Sequence, residues 1–373
     1  MGIGLFGPRP APSGSAASTL AGDANGPLLA NEVNSLTGTA GGANVPLEDM
    51  SDDPTQTVVV VRLPGAGYST VVLSALLAGA GCIDGVINSQ AELEALWPNV
   101  AGVHTVAADG VYCFGEFALT AGRSIAVPAG RRCRFIGHGS ASVVTFNNAG
   151  GGITLAATSE FYADNLVIRQ SNAAGSGILT SSAKAVLNKV GFDGDGVADG
   201  IESNNASSCT WLNQCWWIEC VNGCAPGGGS FFIEEADFFD TDFAVDVVAE
   251  SVTVHVNDAR VRQASTVFVQ SFNVTREWTM RNVVADTITT FFFRAGGTLA
   301  PYMDLSGNRV TNQLNQFFHP NGTVPVSMTS VYRNSVNTIG GGSPAFFAGG
   351  FTTGSANARV RANSFNNVLQ AEV

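Results

Sequence analysis

Carboxylates gather in the middle of the chain, where their spacing could support acid–base chemistry. Residues 183–251 hold twelve Asp and Glu residues and two lysines, whereas residues 252–373 hold nine arginines and five acids. A glycoside hydrolase uses two carboxyl groups about 5–10 Å apart, and a lyase uses a base assisted by a cation. The candidates for such a reaction are Asp193, Asp195, Glu219, Asp240 and Asp242. Because exposed acids are mostly just solvated, we favour a non-catalytic surface, either solvated or facing a second subunit's arginines.

The same segment contains a candidate calcium loop. Its spacing D-x-D-G-x-x-D would let Asp193, Asp195 and Asp199 wrap around one Ca²⁺. However, the bidentate glutamate that closes a full loop is replaced by Asn204. We therefore favour a plain turn and expect neither a metal ion nor another cofactor.

Cysteine and histidine spacing gives no sign of a zinc site. The seven cysteines contain no C-x2-C pair, and the four histidines are scattered. A disulfide framework is typical of short secreted chains, so we expect seven reduced thiols that are mostly buried. The cysteines are Cys82, Cys113, Cys133, Cys209, Cys215, Cys220 and Cys224.

A repeat of 20–29 residues organises the second half of the chain. Asn or Asp followed by apolar residues recurs with successive gaps of 23, 25, 24, 20, 25, 26, 26 and 29 residues, Asp237 occupying one of the positions. Repeats of this length define solenoids, so we predict an all-β, right-handed parallel β-helix. Stacked inward asparagines would satisfy buried turn amides by forming a ladder. The predicted ladder residues are Asn165, Asn188, Asn213, Asn257, Asn282, Asn308, Asn334 and Asn363.

Three regions follow from composition and pattern. Residues 1–55 are rich in Gly, Ala, Pro and Ser and are predicted to be an extended or disordered anchoring arm. Residues 56–102 are predicted to be an N-terminal cap, with a strand at Thr57–Leu63 and a short helix that begins at the capping box Ser89–Glu92 and ends at Trp97. Residues 103–373 form the predicted β-helix.

Charge and hydropathy exclude two classes of partner. The net charge of −12 with only two lysines leaves no basic face for nucleic acid. The apolar run Val71–Ile87 is too short and too polar for a membrane span, so we expect no membrane insertion.

Aromatic pairs such as Trp216–Trp217 cannot point inward together on a strand. The outward rings either line a subunit interface, which we favour, or stack on sugars.

The chain from about Ile87 to the C-terminus resembles the pectate-lyase-like β-helix proteins of tailed-phage virions, of the tailspike or head and tail projection type. The resemblance is one of pattern and is clearest in the stretches Ile87–Leu96, Gly102–Val106, Gly110–Phe114, Ile125–Gly130 and Phe135–Gly139. It implies a homotrimer that assembles in the bacterial cytoplasm and is displayed on a virus particle. We recognise neither a globular head-binding domain nor a C-terminal trimerisation module, which favours a capsid decoration or short tail projection almost as much as a spike.

Our leading interpretation is therefore a trimeric structural protein of the virion. It would be anchored to other virion proteins through residues 1–55, with host surface glycans as a candidate ligand. The alternative is a carbohydrate-active tailspike, a polysaccharide hydrolase or lyase that uses the acidic residues of the middle coils. A bacterial surface β-helix is a third interpretation, and we expect it least because we recognise no signal peptide.

Overall fold

The computed structural model describes residues 58–63, 67–72, 84–247, 252–262, 267–271, 275–286, 291–296, 302–311, 316–321, 329–337, 345–347 and 358–366. The chain divides into two units, Met1–Ile83 and Asp84–Val373. In the first unit, β1 (Val58–Leu63) and β2 (Gly67–Val72) form an antiparallel hairpin, and β1 matches the strand predicted there. The predicted arm and Cys82 lie outside the described residues.

The second unit is a parallel β-helix, as predicted. Its strands form three sheets, and the chain visits sheet I, sheet II and sheet III in turn before it returns to sheet I one coil later. Each strand pairs in parallel with the strand of the next coil, for example β12 (Glu160–Asp164) with β15 (Lys184–Asn188) and β15 with β18 (Cys209–Asn213). In addition, β4 (Asn99–Val100) and β5 (Val103–Thr105) form an antiparallel pair. Parallel crossovers of this kind are right-handed.

The strands of sheet I are β3 (Gly85–Ile87), β6 (Gly110–Phe114), β9 (Arg132–Ile136), β12 (Glu160–Asp164), β15 (Lys184–Asn188), β18 (Cys209–Asn213), β21 (Gly229–Glu234), β24 (Val252–Asn257), β27 (Thr275–Arg281), β30 (Tyr302–Ser306), β33 (Thr329–Tyr332) and β36 (Ala358–Arg361). Those of sheet II are β7 (Phe117–Ala118), β10 (Val143–Phe146), β13 (Val167–Gln170), β16 (Gly191–Asp193), β19 (Trp216–Ile218), β22 (Asp237–Phe239), β25 (Arg260–Arg262), β28 (Val284–Asp286), β31 (Arg309–Thr311), β34 (Ser335–Asn337) and β37 (Ser364–Asn366). Those of sheet III are β4 (Asn99–Val100), β5 (Val103–Thr105), β8 (Ser124–Val127), β11 (Gly151–Leu155), β14 (Ser176–Thr180), β17 (Asp199–Ser203), β20 (Asn222–Pro226), β23 (Phe243–Val247), β26 (Val267–Ser271), β29 (Phe291–Gly296), β32 (Gln316–Asn321) and β35 (Ala345–Phe347).

The core is built from columns of apolar side chains, because residues in register on successive coils point the same way. In sheet III, Ile125, Ile153, Ile178 and Ile201 are in register and no more than 1% exposed. Burial of each such side chain stabilises the fold by about 1.5–3 kcal/mol. The coils are therefore joined by inward apolar contacts as well as by backbone hydrogen bonds.

A short helix, α1 (Gln90–Leu96), lies at the start of this unit and follows the capping box as predicted. The Ser89 hydroxyl accepts a hydrogen bond from the Glu92 N–H at 3.2 Å, and the Glu92 carboxylate accepts one from the Asn88 N–H at 2.6 Å. Leu93 and Trp97 are buried in the apolar core. The helix thus belongs to the same unit as the coils, whereas the predicted cap grouped it with β1.

The predicted asparagines fall at three different positions of the corner between sheets I and II. Asn188, Asn213 and Asn257 end their strands, on the outer side. Asn165 and Asn282 occupy the next position, with left-handed φ angles of 52° and 55°. Asn308, Asn334 and Asn363 lie one residue further on, after corner residues such as Gly307 and Arg333. The prediction of one internal ladder of eight asparagines is therefore wrong.

An internal ladder joins Asn308, Asn334 and Asn363. The Asn308 side-chain amide donates to Asn334 Oδ1 at 2.9 Å, and that of Asn334 donates to Asn363 Oδ1 at 3.1 Å. In earlier coils the inward position carries apolar residues such as Leu166 and Val190, both 0% exposed. Asn is favoured in left-handed turns as well as in ladders. The spacing of the asparagines therefore located the corner between sheets I and II but did not show which residue of the corner points inward.

Six cysteines lie in the described residues, and the free thiols among them include Cys133, Cys209, Cys215, Cys220 and Cys224. Cys113, Cys133, Cys215, Cys220 and Cys224 are buried, and Cys209 is half-buried. Burial raises the pKa of Cys133 and of Cys215 to about 12. These thiols act as small core residues that stay protonated at neutral pH. No helix among the described residues is long and apolar enough to cross a membrane.

Candidate functional site

The predicted catalytic acids are only partly brought together. Glu219 and Asp240 follow β19 and β22 directly, are exposed, and have left-handed φ angles of 50° and 49°. The Glu219 N–H bonds to the Phe239 carbonyl and the Asp240 N–H to the Arg262 carbonyl. These two residues therefore occupy one corner of successive coils, about 4.8 Å apart along the stack.

The other three predicted acids lie elsewhere. Asp193 is the last residue of β16, and its carboxylate pairs with Arg169 Nε of the preceding coil at 2.8 Å. Asp195 lies in the turn before β17, where its N–H bonds to the Asp193 carboxylate at 3.1 Å. Asp242 lies just before β23. The β16–β17 turn is longer than the β19–β20 and β22–β23 turns of the next two coils, so Asp193 and Asp195 do not share the corner of Glu219 and Asp240.

The candidate calcium loop does not form a metal-binding cluster. Asp199 begins β17 and turns to sheet III, where its carboxylate accepts hydrogen bonds from the Asn222 N–H at 3.1 Å and from the Asn222 side-chain amide at 2.8 Å. Asp193 is paired with Arg169 on sheet II. Within the described ranges, no group of three or more His, Cys, Asp or Glu side chains could hold a metal ion.

On the outer side of sheet III, Asp199 lies near two carboxylates that were not among the candidates predicted from sequence, Glu202 and Asp246. Burial raises the pKa of Asp199 above its usual value, and the negative charges of Glu202 and Asp246 raise it further. Glu202 accepts a hydrogen bond from the Ser176 hydroxyl at 2.7 Å. The register Ser176↔Asp199 could have revealed this group, but only once the corners of each coil were known.

A concave surface lies on the outer side of sheet II, across β19, β22 and β25. It is a shallow depression of about 350 Å³, which we call the sheet II depression. Its lining includes Trp216, Ile218, Asp237, Phe239 and Arg262. In each three-residue strand the middle residue points inward (Trp217, Phe238 and Val261) and the two outer residues face away from the core. Three coils thus contribute to one surface.

The Trp216 indole lies over the backbone of the preceding coil. Gly191 is its partner in register, and a Cβ at Gly191 would collide with Cζ2, Cη2 and Cε2 of the indole. The six-membered part of the ring therefore occupies the space above this glycine. No other aromatic ring in the described part of the chain stacks on Trp216. The ring forms a half-exposed apolar wall of the depression.

A polar clamp lies beside this wall. The Arg262 guanidinium bonds to the Asp237 carboxylate through Nη2–Oδ2 at 2.6 Å and Nε–Oδ1 at 3.4 Å. The same guanidinium lies 5.6 Å from the centre of the Phe239 ring. This arrangement holds fixed donors and acceptors next to aromatic surface, which is the usual composition of a small-molecule site.

The aromatic row on the outer side of sheet I is different. Trp211 stacks on Phe232 with ring centres 5.4 Å apart, and Phe232 stacks on His255 at 5.0 Å. The Lys184 ammonium lies 5.6 Å from the Trp211 ring centre and 5.7 Å from that of Tyr162. Because the rings cover one another's faces, this row stabilises the stacking of coils and presents mainly edges to solvent.

Comparison with known proteins finds solved structures of low similarity. No family model and no curated protein matches the chain. One similar solved structure is the catalytic domain of a GH87 alpha-1,3-glucanase in complex with nigerose, at 10% identity and a TM-score of 0.33, covering 69% of this chain and 64% of that chain. Another is a tailspike protein double mutant of E. coli bacteriophage HK620, at 10% identity and a TM-score of 0.33, covering 83% of this chain and 71% of that chain. The β-helix assignment rests on the strand pairing of this chain itself.

Proposed function

We propose that this protein is a structural component of a phage virion, a trimeric β-helical projection or decoration that binds host surface glycans in the sheet II depression. The virion and trimer assignments are supported by the resemblance of the chain from about Ile87 onward to virion β-helix proteins. The glycan assignment is supported by the geometry of sheet II, and the observation that carries it is the half-exposed Trp216 beside the Asp237–Arg262 clamp.

Sugar recognition fits this combination of groups. One face of a pyranose ring consists of C–H groups, which pack on an aromatic ring, while its hydroxyls need fixed donors and acceptors. Trp216 supplies the apolar wall, and Asp237 with Arg262 supplies an acceptor and a donor that are hydrogen-bonded to each other. The clamp needs little rearrangement on binding, because the two side chains already order each other.

The test compares two tryptophans on different faces of the β-helix. Trp216→Ala should weaken binding to immobilised bacterial surface polysaccharides at least ten-fold, measured by biolayer interferometry over a panel of O-polysaccharides and capsules. Trp211→Ala, on sheet I, should leave that binding unchanged and serves as the matched control. Equal affinities of wild type and Trp216→Ala for every bound polysaccharide would refute the proposed site.

A second candidate function, polysaccharide hydrolysis, is favoured by the carboxylates of sheet III rather than by the five acids predicted from sequence. Burial raises the pKa of Asp199, which keeps a carboxyl group protonated to higher pH, as a general acid requires. Glu202 and Asp246 would supply the second carboxylate. Release of reducing ends by the wild type, lost in Asp199→Asn but retained in Asp193→Asn, would establish this activity. Absence of release from every polysaccharide that the protein binds would eliminate it for those ligands.

A further inference from the structure

Resting on the proposed glycan-binding function, we infer that the sheet II depression takes an uncharged polysaccharide and discriminates against acidic ones. The inference concerns the charge class of the ligand, which neither the fold nor the aromatic wall determines. It follows from how the charges in and around the depression are paired.

The cation that lines the depression is already neutralised. Arg262 makes its two hydrogen bonds to Asp237, so its positive charge is matched by a carboxylate within 2.6 Å. A sugar carboxylate would have to displace Asp237 or approach a neutral pair. Hydroxyl groups, in contrast, can use the remaining guanidinium N–H groups and carboxylate lone pairs without breaking the clamp.

The corners that border the depression are acidic. After the strands of sheet II, Glu219 and Asp240 are exposed on successive coils, while Asp193 in the neighbouring coil is paired with Arg169. Before these strands, the corner positions of successive coils hold Lys189, Gln214, Glu235 and Asp258. The cations at these corners are Lys189 and Arg260, the residue that begins β25. The negative charges at these corners therefore outnumber the cations, four to two: they are Glu219, Glu235, Asp240 and Asp258.

The coils on the N-terminal side of the depression reinforce this local excess. Residues 183–251, which include β16, β19 and β22, contain twelve acids and two lysines, whereas β25 begins the arginine-rich part that follows. An acidic polysaccharide that crosses these coils would carry a row of negative charges through a negative field. At physiological salt the screening length is about 8 Å, longer than the coil spacing of about 4.8 Å. Neighbouring coils therefore act together on such a ligand.

The depression also has the extent of a polymer segment. Its lining comes from three successive strands, β19, β22 and β25, so it spans about 10 Å along the coil stack. That length accommodates more than one sugar unit. Uncharged internal units can occupy it in succession, whereas each acidic unit would add another repulsive contact.

The experiment measures binding of the full chain to the same polymer in two charge states. An acidic capsular polysaccharide is used before and after carbodiimide-mediated reduction of its carboxylates to alcohols, beside a panel of neutral O-polysaccharides. At about 0.15 M salt we expect binding to the neutral and reduced polymers and at least ten-fold weaker binding to the acidic form. The difference should shrink at 1 M salt, where the screening length is about 3 Å.

A paired variant separates local charge from shape. The double variant Glu219→Gln/Asp240→Asn should narrow the discrimination against the acidic polymer while leaving binding to the neutral one unchanged. The control Glu116→Gln alters an exposed carboxylate just before β7, four coils from β19 in the sheet II stack, and should change neither. Equal or tighter binding of the acidic form by the wild type overturns the inference but leaves the proposed glycan binding intact. Failure to bind any polymer overturns both.

Discussion

Trp216 rests on Gly191: the indole of one coil fills the space that a side chain at the corresponding position of the preceding coil would occupy. A glycine within a strand ordinarily weakens the strand and often marks a site of close approach. Here the group that approaches is the Trp216 indole. The absence of a side chain at Gly191 sets the direction of the tryptophan. The orientation of the proposed binding surface thus depends on a residue that does not itself line the depression.

Gly191→Ala should reduce polysaccharide binding at least ten-fold while leaving the β-helix folded. The added methyl group must push the Trp216 ring outward, and because the ring is half-exposed this costs less than the about 1–3 kcal/mol typical of overpacking inside a core. Binding and circular dichroism are measured together. Gly150→Ala is the matched control, since nothing lies within 4 Å of a Cβ at Gly150. Unchanged binding by Gly191→Ala would contradict the role given to the ring orientation.

Adjacent tryptophans should respond in opposite ways to truncation. Trp217 is 0% exposed and stacks between Phe192 and Phe238, with ring centres 5.5 Å and 4.4 Å away. Trp217→Ala should lower the free energy of unfolding by about 3–5 kcal/mol. Trp216→Ala should cost less than about 1 kcal/mol, since it leaves no internal cavity. Chemical denaturation measures both, and equal losses would show that Trp216 is also a core residue.

The internal and outer asparagines should differ in their contribution to stability. Asn334 is 1% exposed, donates to the Leu305 carbonyl at 2.9 Å and accepts from the Asn308 N–H at 3.0 Å. Asn334→Ala leaves such groups unsatisfied, at about 1–3 kcal/mol each. Asn213→Ala removes an exposed hydrogen bond to Asn188 and should cost less than about 0.5 kcal/mol. Thermal unfolding measures the difference, and equal melting temperatures for the two variants would contradict this prediction.

Asp199 should make stability depend on pH. Because burial raises its pKa in the folded state, the folded protein holds this proton to higher pH than the unfolded chain does. Stability is therefore lost as pH rises from the usual value of 3.8 through the folded pKa. Asp199→Asn should melt at a higher temperature than the wild type at pH 7, and the two should converge below about pH 3.8. Asp195→Asn, on an exposed turn, is the control. A lower melting temperature for Asp199→Asn at pH 7 would contradict this reasoning.

Removal of residues 1–55 tests the proposed anchoring arm, which lies outside the described residues. Each coil of a solenoid contacts only its neighbours, so the β-helix needs no such segment for its own stability. The truncated protein should still fold and form trimers, as judged by circular dichroism and light scattering. It should no longer join virus particles in a complementation assay. Incorporation at normal copy number would show that the arm is dispensable for anchoring.

The sequence predicted features that depend on neighbouring residues or on regular spacing. The helix at Gln90–Leu96 followed from its capping box, and the β-helix followed from the repeat. The sites were harder, because corners of unequal length shift the register from coil to coil. Glu219 and Asp240 share a corner, whereas Asp193 does not. The orientation of Trp216 depends on Gly191, one coil away, and no local pattern reports such a contact.

Side chains in the short strands of sheet II point alternately inward and outward, which separates residues selected for folding from residues selected for the outer surface. Trp217 and Phe238 lie inside the stack, while Trp216 and Phe239, their neighbours in sequence, lie on the outer side. A substitution at an outward position changes the surface that meets a ligand and leaves the inward column in place. Each coil also contributes its own outward pair. Under the proposed glycan-binding function, the binding surface can therefore diverge one coil at a time while the inner columns change little.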